Sequence, residues 1–278
     1  MGCCCSTPVP IVWAGYDVSG YDAGDRYRVE RVDSDAHALW RSTVDVLARA
    51  FCGTQSASPE PVNAWIYNGG TEQRPLAAAP TELRAGWFKW ALELCARMCL
   101  NVGGVYALVE KTTGQVVAAT GVMPPGARTA SDMSMGEYYA ITKKMGDVGG
   151  FSGPKVDPEF KGGWERRMTT TDKAMAVAHK AAMPEDHMHV LVFGTSADAQ
   201  RTGAGRTLMT FLNHLADVDG VPSYLESAGE IGPAFFADVG GYEEVQRVRL
   251  EDKKGTNFDV GGGMVCMARK AQRRILGS

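Results

Sequence analysis

The sequence predicts an α/β domain, and two observations carry that prediction. Apolar strand-like segments alternate with amphipathic helical segments in the order β-α-α-β-β-α-β-α-β-α-β-β. One apolar strand leads through a short glycine-containing turn into a helix, a unit typical of ligand-binding α/β proteins. With 278 residues, 45% of them hydrophobic, the chain is long enough for one sizeable domain with long loops, which we place at residues 26–278.

The N-terminal part of the chain is predicted to contain one strand and one helix between two irregular segments. Residues 1–25 show no apolar periodicity and are interpreted as a flexible arm. Residues 27–32 alternate between apolar and polar side chains, which is typical of a strand. Ser34 is a suitable N-cap for a helix over residues 35–51. Residues 53–80 are interpreted as a loop insertion, because glycine and proline interrupt them repeatedly.

The middle of the chain is predicted to contain two long helices with two strands between them. Apolar residues recur at helical spacing over residues 81–100, which predicts the first of these helices. Strands are predicted over residues 105–110 and 115–122, joined by a turn. Residues 123–163 form a second insertion rich in glycine and proline with a short helical stretch, and a helix is predicted over residues 163–183.

A turn of the form Q-x-x-G-x-G follows the strand at residues 187–195 and opens the next helix. Two glycines at this spacing let the backbone approach a ligand with its N–H groups turned inward, and the helix start adds free donors and a positive dipole end. The turn is therefore predicted to bind phosphate, with a pyrophosphate fitting best. A P-loop would need lysine where Arg206 stands, and a dinucleotide-binding turn would need a third glycine. The turn comprises Gln200, Arg201, Thr202, Gly203, Ala204, Gly205 and Arg206.

This segment resembles the acetyl-CoA-binding motif of the GNAT N-acetyltransferase superfamily, and the resemblance continues beyond the turn. Residues 187–195 are similar to the fourth strand of that fold and residues 222–227 to its fifth. Residues 233–245 are similar to the helix and sixth strand that follow, and residues 264–270 to the last strand. The order of elements is most similar to the puromycin acetyltransferase-like branch. The resemblance implies a seven-stranded mixed sheet, splayed between strands 4 and 5 and flanked by helices.

The resemblance also implies a function and a co-substrate. An acetyl group would pass directly from acetyl-CoA to a primary amine of a small molecule, in a ternary complex. The glycine turn would hold the pyrophosphate of the coenzyme, and a backbone N–H near Val192 would stabilise the oxyanion. The pantetheine arm would pair with the backbone of Phe193, Gly194 and Thr195.

Two residues are candidates for the catalytic base. Glu226 would lie at the bottom of the cleft by resemblance, but a strand-end carboxylate in a salt bridge is an equally good interpretation. His187 and His189 share one face of a strand, and His189 is suited to proton transfer at neutral pH, with simple packing as the alternative. The two histidines could begin a metal site, but no third ligand is evident from the sequence, so no metal is predicted.

The position expected to protonate the leaving sulfur does not match the family pattern. Relatives often carry tyrosine near the start of the helix after the fifth strand, and the matching position here is Phe236. A shift of the alignment by one position would offer Phe235, which also has no proton to give. Tyr224 and Tyr242 are the remaining candidates. A thiol with a pKa near 8.5 can also leave unprotonated, so the missing acid does not exclude catalysis.

Composition excludes several classes of function. The net charge of −3 and a pI near 6.0 give no sign of nucleic-acid binding. Neither an apolar run long enough to span a membrane nor a signal peptide is evident. The seven cysteines are odd in number and contain no C-x-x-C pair, which favours neither a disulfide framework nor a zinc site. Their usage suits a reducing compartment, and we expect a cytoplasmic protein.

The first residues fit the N-myristoylation pattern M-G-x-x-x-S/T, with Gly2 as the acceptor. Because one myristoyl chain gives only marginal membrane binding, a second signal is needed, and palmitoylation of Cys3, Cys4 or Cys5 would supply it. Peripheral association with the cytoplasmic face of a membrane is therefore one hypothesis. A chance match to a short pattern is the other.

Two further functions compete with small-molecule acetylation. The same fold could acetylate a protein or peptide at a membrane, or it could bind acyl-CoA without turnover. A peptide needs an open groove, whereas a small amine needs a capped pocket. The insertion at residues 123–163 is expected to lie over the acceptor side, and its large apolar side chains favour a cap and hence a small amine. These side chains are Met133, Met135, Tyr138 and Tyr139.

Overall fold

A mixed sheet of seven strands organises the molecule. The computed structural model describes residues 18–53, 59–69, 81–127, 133–252 and 257–272. The strands are β1 (Tyr27–Arg31), β2 (Val105–Glu110), β3 (Val116–Met123), β4 (Met188–Thr195), β5 (Ser223–Ala228), β6 (Glu243–Val248), β7 (Leu250–Glu251), β8 (Asn257–Phe258) and β9 (Met264–Arg269). The sheet order is β1-β2-β3-β4-β5-β9-β6, and β7 and β8 form a separate two-stranded ribbon. The predicted seven-stranded mixed sheet is confirmed.

Helices cover both faces of the sheet. They are α1 (Trp40–Cys52), α2 (Pro61–Asn68), α3 (Glu82–Asn101), α4 (Met135–Lys143), α5 (Trp164–Ala182), α6 (Ala204–Asp219) and α7 (Ile231–Gly240). Strand β2 shows why two apolar layers exist. Val105, Ala107 and Val109 pack into the cluster beneath α1 and α3, whereas Tyr106 and Leu108 pack into the cluster beneath α6. Because β2 carries apolar side chains on both of its faces, helices have to cover the sheet on both sides.

Strands β4 and β5 run parallel but separate after three residue pairs. The paired residues are Met188 with Ser223, His189 with Tyr224, and Val190 with Leu225. Beyond Val190, β4 continues to Thr195 while paired only with β3. The sheet therefore parts between its fourth and fifth strands, as predicted, and a cleft opens where the pairing stops.

An irregularity in β4 lies at the point of parting. Gly121 pairs with Val192 and Val122 pairs with Val190, so Leu191 is the extra residue of a bulge. A bulge interrupts the ladder and turns backbone groups away from the neighbouring strand. In this protein, the bulge places main-chain groups of β4 at the point where the cleft between β4 and β5 begins.

The first helix begins later than its sequence pattern predicts. Helix α1 starts at Trp40, and its N-cap Leu39 makes no side-chain capping bond. The predicted start near residue 35 with Ser34 as a cap is wrong. The chain forms turns there instead, in which the backbone N–H of His37 bonds the carbonyl of Ser34. The His37 ring then accepts the N–H of Leu39 and so competes with a helical bond.

The insertion predicted as loop over residues 53–80 contains a helix, so that interpretation is wrong for Pro61–Asn68. Pro61 occupies the first turn, where a missing N–H costs nothing. The Glu60 carboxylate accepts the backbone N–H groups of Val62 and Asn63 and so caps the helix start. The prolines that suggested a loop are the start signal of a short helix.

The remaining helices agree with their predicted positions within a few residues. Helix α3 is capped by Thr81, whose side chain accepts the N–H of Arg84. Helix α4 begins with a capping box formed by Ser134 and Glu137. Within the described ranges, no helix is both long and apolar enough to cross a bilayer. The proposed lipidation positions, Gly2 and Cys3 to Cys5, lie outside those ranges.

Candidate active site

A cavity of about 1260 Å³ occupies the gap between the parted strands. Its walls come from β4 and β5, from one face of α5, and from the start of α7. Residues 59–63, at the start of α2, complete one side. The glycine turn of residues 200–206 lies at one end of this cleft, and His179, His189 and Glu226 line it elsewhere.

The two glycines of the turn serve different physical needs. Gly203 has a φ of 93°, a left-handed conformation that favours glycine, and it forms the N-cap of α6. Gly205 has ordinary backbone angles, but a Cβ there would lie 3.0 Å from the Thr195 hydroxyl oxygen and 3.4 Å from the Phe235 ring. The first glycine permits the bend, and the second permits close contact between α6, the end of β4 and α7.

The start of α6 presents unpaired backbone donors to the cleft. Its first helical bond runs from the N–H of Thr207 to the carbonyl of Gly203, so the preceding N–H groups have no partner within the helix. Such donors, together with the positive end of the helix dipole, form a site for an anion. Arg201 and Arg206 add positive charge at the same end, and Arg206 also pairs with Asp238 of α7 at 3.2 Å.

The side chains of the glycine turn do not all face the cleft. Gln200, Arg201, Gly203, Gly205 and Arg206 line it. Thr202 instead bonds the Ala199 carbonyl and lies 3.1 Å from the Tyr27 hydroxyl, and Ala204 is buried beneath the sheet. For Thr202 and Ala204, the prediction of cofactor contact can therefore apply only to their main-chain atoms.

The second half of β4 forms one long wall of the cleft. Phe193, Gly194 and Thr195 line it, and their contact with a pantetheine arm stays a prediction. Their strand is paired with β3 on one side, while β5 has turned away on the other. Gly194 also permits α1 to approach, because a Cβ there would lie 2.9 Å from Ala50. This edge of β4 can accept an extended ligand as an added strand.

Both predicted candidates for the base belong to one hydrogen-bonded pair. The Nε2 atom of His189 lies 2.7 Å from Oε2 of Glu226. The two side chains are only 9% and 13% exposed. Burial works to raise the pKa of Glu226, but the charge and hydrogen bond of His189 outweigh it and hold the pKa below its ordinary value of 4.5. Glu226 is therefore ionised at neutral pH and orients the His189 ring.

A third histidine, His179, joins this pair from α5. Its ring lies 4.6 Å from the His189 ring and stacks on Tyr224 at 4.4 Å between centroids. Its Nε2 atom is 2.5 Å from Nε2 of His187. Since Nδ1 of His187 faces the Glu185 carbonyl and must donate, Nε2 of the neutral ring accepts from His179. Burial lowers the pKa of His187, which favours that neutral form.

The sequence did not reveal His179 as a site residue, because it is separated from β4 by a turn and lies on a helix. Its position on the cleft-facing stripe of that helix was the signal available. His179, His189 and Glu226 each offer one ligand atom, and these atoms lie within 4.8 Å of one another. This group contains His189 but not His187, so it is not a completion of the pair considered from the sequence, and the prediction of no metal stays a prediction. The group has the chemistry to hold a divalent ion as well as to move a proton.

The general acid stays a prediction, and the structure shows which aromatic residues line the cleft. Phe235 and Phe236 both line the cleft and pack with Phe193, at 5.8 Å between centroids in each case. Neither Tyr224 nor Tyr242 reaches the cleft, since both are at most 2% exposed. Burial, together with the neighbouring Glu226 carboxylate, raises the pKa of Tyr224 far above its ordinary value. Among the described cleft residues, there is no tyrosine.

The expected cap from residues 123–163 is not found in the described part of the cleft wall. Of that insertion, only Met123 lines the cavity in the ranges that the structure describes. Helix α4 packs on α3 instead, which leaves Met135 and Tyr139 exposed to solvent. The wall opposite β4 comes from the other insertion, through residues 59–63.

Several solved structures are similar to this protein over most of its length. Arylalkylamine N-acetyltransferase 2 from Aedes aegypti superposes with a TM-score of 0.52 at 13% identity, over 89% of this chain and 100% of that one. The C-terminal condensation domain of Ebony, in complex with beta-alanyl-dopamine, gives 0.54 at 10% identity over 88% and 99%. A mosquito arylalkylamine N-acetyltransferase-like protein, 5b, gives 0.50 at 11% identity over 88% and 99%. The chain has the GNAT acetyltransferase fold.

The likeness is one of fold and not of sequence. Neither a protein-family model nor a curated protein matches the chain. The match nevertheless covers essentially the whole length of each neighbour, so the parted β4–β5 pair and the glycine turn occur within a complete GNAT fold. Because one fold can carry many functions, the function depends on the residues of the site.

Proposed function

We propose that the protein is an N-acetyltransferase that moves an acetyl group from acetyl-CoA to a primary amine of a small molecule. One observation carries the proposal: a single cleft joins an anion-binding helix start to a buried histidine, His189, that is hydrogen-bonded to the ionised Glu226. Binding of a diphosphate at one end and proton removal at the other are the two tasks that such a transfer requires. Neighbours of the same fold are named as arylalkylamine N-acetyltransferases, which supports a small amine as the acceptor.

Coenzyme A would lie along β4. The N–H groups that open α6 bind the pyrophosphate, with Arg201 beside it, and the free edge of β4 at residues 193–195 pairs with the pantetheine arm. The thioester carbonyl then lies near the bulge at Leu191, where a backbone N–H can stabilise the developing oxyanion. Holding both reactants in this way is worth about 7–11 kcal/mol in favourable cases.

The reaction itself needs one proton acceptor and one leaving group. His189 takes a proton from the substrate ammonium, and Glu226 stabilises the imidazolium that results. The amine nitrogen attacks the thioester carbonyl carbon and forms a tetrahedral oxyanion. This collapses with cleavage of the C–S bond, which gives the amide, and the nitrogen releases its second proton to solvent water. Coenzyme A leaves as a thiolate and takes a proton from solvent, since a thiolate is a stable leaving group near neutral pH.

A non-catalytic acyl-CoA-binding module is the second candidate. The observation that favours it is the pair Phe235 and Phe236, which occupy the wall where an acid would otherwise stand. The two functions agree on cofactor binding and differ on turnover. The base distinguishes the enzyme from the binding module, because binding of acyl-CoA alone does not require an ionised Glu226 buried beside His189.

The decisive experiment measures release of free coenzyme A thiol from acetyl-CoA against a panel of amines, aminonucleosides and short peptides. The proposed function predicts release with small primary amines and an acetylated product of matching mass. Release only with peptides would favour the peptide acetyltransferase. Tight acetyl-CoA binding by calorimetry, with no thiol released from any compound, would favour the binding module.

Three expectations remain part of this proposal. Residues 26–278 are proposed to act as one domain, with residues 1–25 as an arm outside the catalytic unit. Acylation at Gly2 and Cys3 to Cys5 would hold the enzyme at the cytoplasmic face of a membrane. Fractionation of cells that express Gly2→Ala or the parent protein tests this. If both proteins are equally soluble, the membrane-anchor hypothesis is wrong. The puromycin acetyltransferase-like branch stays a prediction.

A further inference from the structure

Three side chains that can ligate a metal ion meet at one point of the cleft. His179, His189 and Glu226 each offer one nitrogen or oxygen atom, and these three atoms lie within 4.8 Å of one another. All three residues line the cleft, and both histidines are buried. Two imidazoles and one carboxylate form a donor set that binds Zn²⁺ in catalytic sites, where water takes the fourth position. Within the described ranges, no second group of this kind is found.

The separations in this group are near those of a tetrahedral metal site. Ligand bonds of about 2.0–2.2 Å at tetrahedral angles place the ligand atoms roughly 3.3–3.6 Å apart. Nε2 of His189 and Oε2 of Glu226 are closer, at 2.7 Å, because a hydrogen bond joins them. Wider separations in the group have to shorten by at most about 1.5 Å, which rotation of the histidine rings can supply, since that torsion is broad.

His189 can offer a lone pair toward Glu226 without losing a contact at its other nitrogen. In the hydrogen-bonded pair, Nε2 of His189 donates to the Glu226 carboxylate. Nδ1 is buried and has no hydrogen-bond partner among the described residues. Moving the ring proton from Nε2 to Nδ1 therefore breaks no bond at Nδ1. The lone pair on Nε2 then faces Glu226, and a metal ion can replace the proton between the two side chains.

His187 orients His179 in the way that protein-bound metals require of their ligands. Nε2 of His179 lies 2.5 Å from Nε2 of His187 and donates to it, so the lone pair of the neutral His179 ring is on Nδ1. The His187 ring is itself held by the Glu185 carbonyl, 2.6 Å from Nδ1. A ligating histidine usually donates its other N–H to such a fixed group, because this bond sets the tautomer and the ring orientation.

We propose that His179, His189 and Glu226 bind a divalent transition-metal ion, for which Zn²⁺ is the best match, and that the bound ion inhibits acetyl transfer. Imidazole ligands favour Zn²⁺ over Mg²⁺ and Ca²⁺, which prefer oxygen ligands. The inhibition rests on the proposed function, because coordination takes up the His189 lone pair that would remove the proton from the ammonium. The ion is an inhibitor and not a cofactor, since the proposed transfer uses no metal.

Metal binding is measured directly on the full chain after treatment with a chelator. Cys3, Cys4 and Cys5 are replaced by serine in every variant, because adjacent thiols also bind Zn²⁺. Co²⁺ is the spectroscopic probe, and a four-coordinate site should give the intense visible absorption that hydrated Co²⁺ lacks. Zn²⁺ should abolish this absorption by competition, and calorimetry gives its affinity.

Histidine substitutions should weaken the binding by graded amounts. His179→Ala removes a ligand and should weaken Zn²⁺ binding by roughly a hundredfold or more, whereas His187→Ala removes only an outer partner and should cost about tenfold. His179→Gln keeps a polar side chain but no imidazole and should match His179→Ala, while Tm shows that each variant is folded. His214→Ala, on α6 and outside the cleft lining, should keep the affinity of the parent protein.

Inhibition is measured as acetylated amine by mass spectrometry, because the released coenzyme A thiol also binds Zn²⁺. Each variant is compared with its own rate in the absence of zinc. The Zn²⁺ concentration that halves the rate should match the calorimetric Kd, and a chelator should restore the rate. His179→Ala should raise this concentration by the same factor as the Kd.

Two results would overturn the metal site. One is equal Zn²⁺ affinity in His179→Ala and the parent protein, and the other is Co²⁺ binding without the four-coordinate absorption. Zinc bound at this site with no loss of rate would overturn the inhibition. Failure of the proposed function shows itself differently, as absence of acetylated product with every amine, and the Co²⁺ and Zn²⁺ titrations then still decide whether the site exists.

Discussion

The two ends of the cleft are built in different ways. The glycine turn offers main-chain N–H groups of consecutive residues, with two glycines that allow the bend and the close packing. The opposite end offers side chains, and His179, His189 and Glu226 come from α5, β4 and β5. A main-chain site can be encoded in one short segment, whereas a side-chain site depends on three elements meeting in space. The two ends should therefore respond differently to substitution.

The largest effect is expected at the side-chain end. His189→Ala removes the proton acceptor, and kcat should fall by about 10²–10⁴ because that is the usual contribution of a general base. The affinity for acetyl-CoA, measured by calorimetry, should stay close to that of the parent. His214→Ala, on α6 and outside the cleft lining, is the control and should keep its rate. An unchanged kcat in His189→Ala would assign the pair a structural role only.

At the main-chain end, binding rather than turnover should be lost. Gly203→Asp places an anion at the start of α6 without a steric clash, because no atom lies within 4 Å of the added Cβ. Repulsion of the pyrophosphate should weaken acetyl-CoA binding by roughly a hundredfold or more. Gly220→Asp is the matched control, since Gly220 ends the same helix with a positive φ and equally open surroundings. Equal acetyl-CoA affinity in the two variants would contradict the phosphate assignment.

A smaller effect tests the missing acid between the two ends. Phe236→Tyr adds a hydroxyl to the cleft wall where the sulfur would leave, and kcat should rise about two- to tenfold, less than a full general-acid contribution because the thiolate already leaves readily. Phe235→Tyr, on the neighbouring wall position, serves as the comparison. A rate that falls in Phe236→Tyr while Tm is unchanged would place the leaving group elsewhere.

The smallest effect concerns stability. The folded-state pKa of Asp172, about 6, lies above its ordinary value of 3.8, so the folded protein binds this proton more tightly than the unfolded chain does. This carboxyl therefore lowers stability progressively as pH rises from about 4 to 6. Since Asp172 is exposed to solvent, screening reduces the effect, and Asp172→Asn should raise Tm by only roughly 1–2 °C at pH 7.5 and not at pH 4. Glu165→Gln should show no such difference between the two pH values.

Local signals predicted most of the fold correctly because the deciding interactions are local. The Q-x-x-G-x-G turn and the helical spacing of apolar residues over 81–100 each act within a few residues of the chain. Prediction failed where a second local interaction competed with the one on which the prediction rested. Ser34 is a good cap by type, but the His37 ring binds the next free N–H, and the prolines near residue 60 open a helix rather than a loop.

Most elements, their order and the glycine turn at the start of α6 could be predicted from the sequence, since periodicity and backbone conformation are properties of neighbouring residues. Which side chains share the cleft became known from the packed fold alone. Packing joins His189 to Glu226, adds His179, leaves Tyr224 and Tyr242 buried, and places α4 against α3 and not in the described cleft wall. The physical reason is that proton transfer and charge pairing act over a few ångströms in space, and residues distant in the chain reach that separation only when helices and strands have packed.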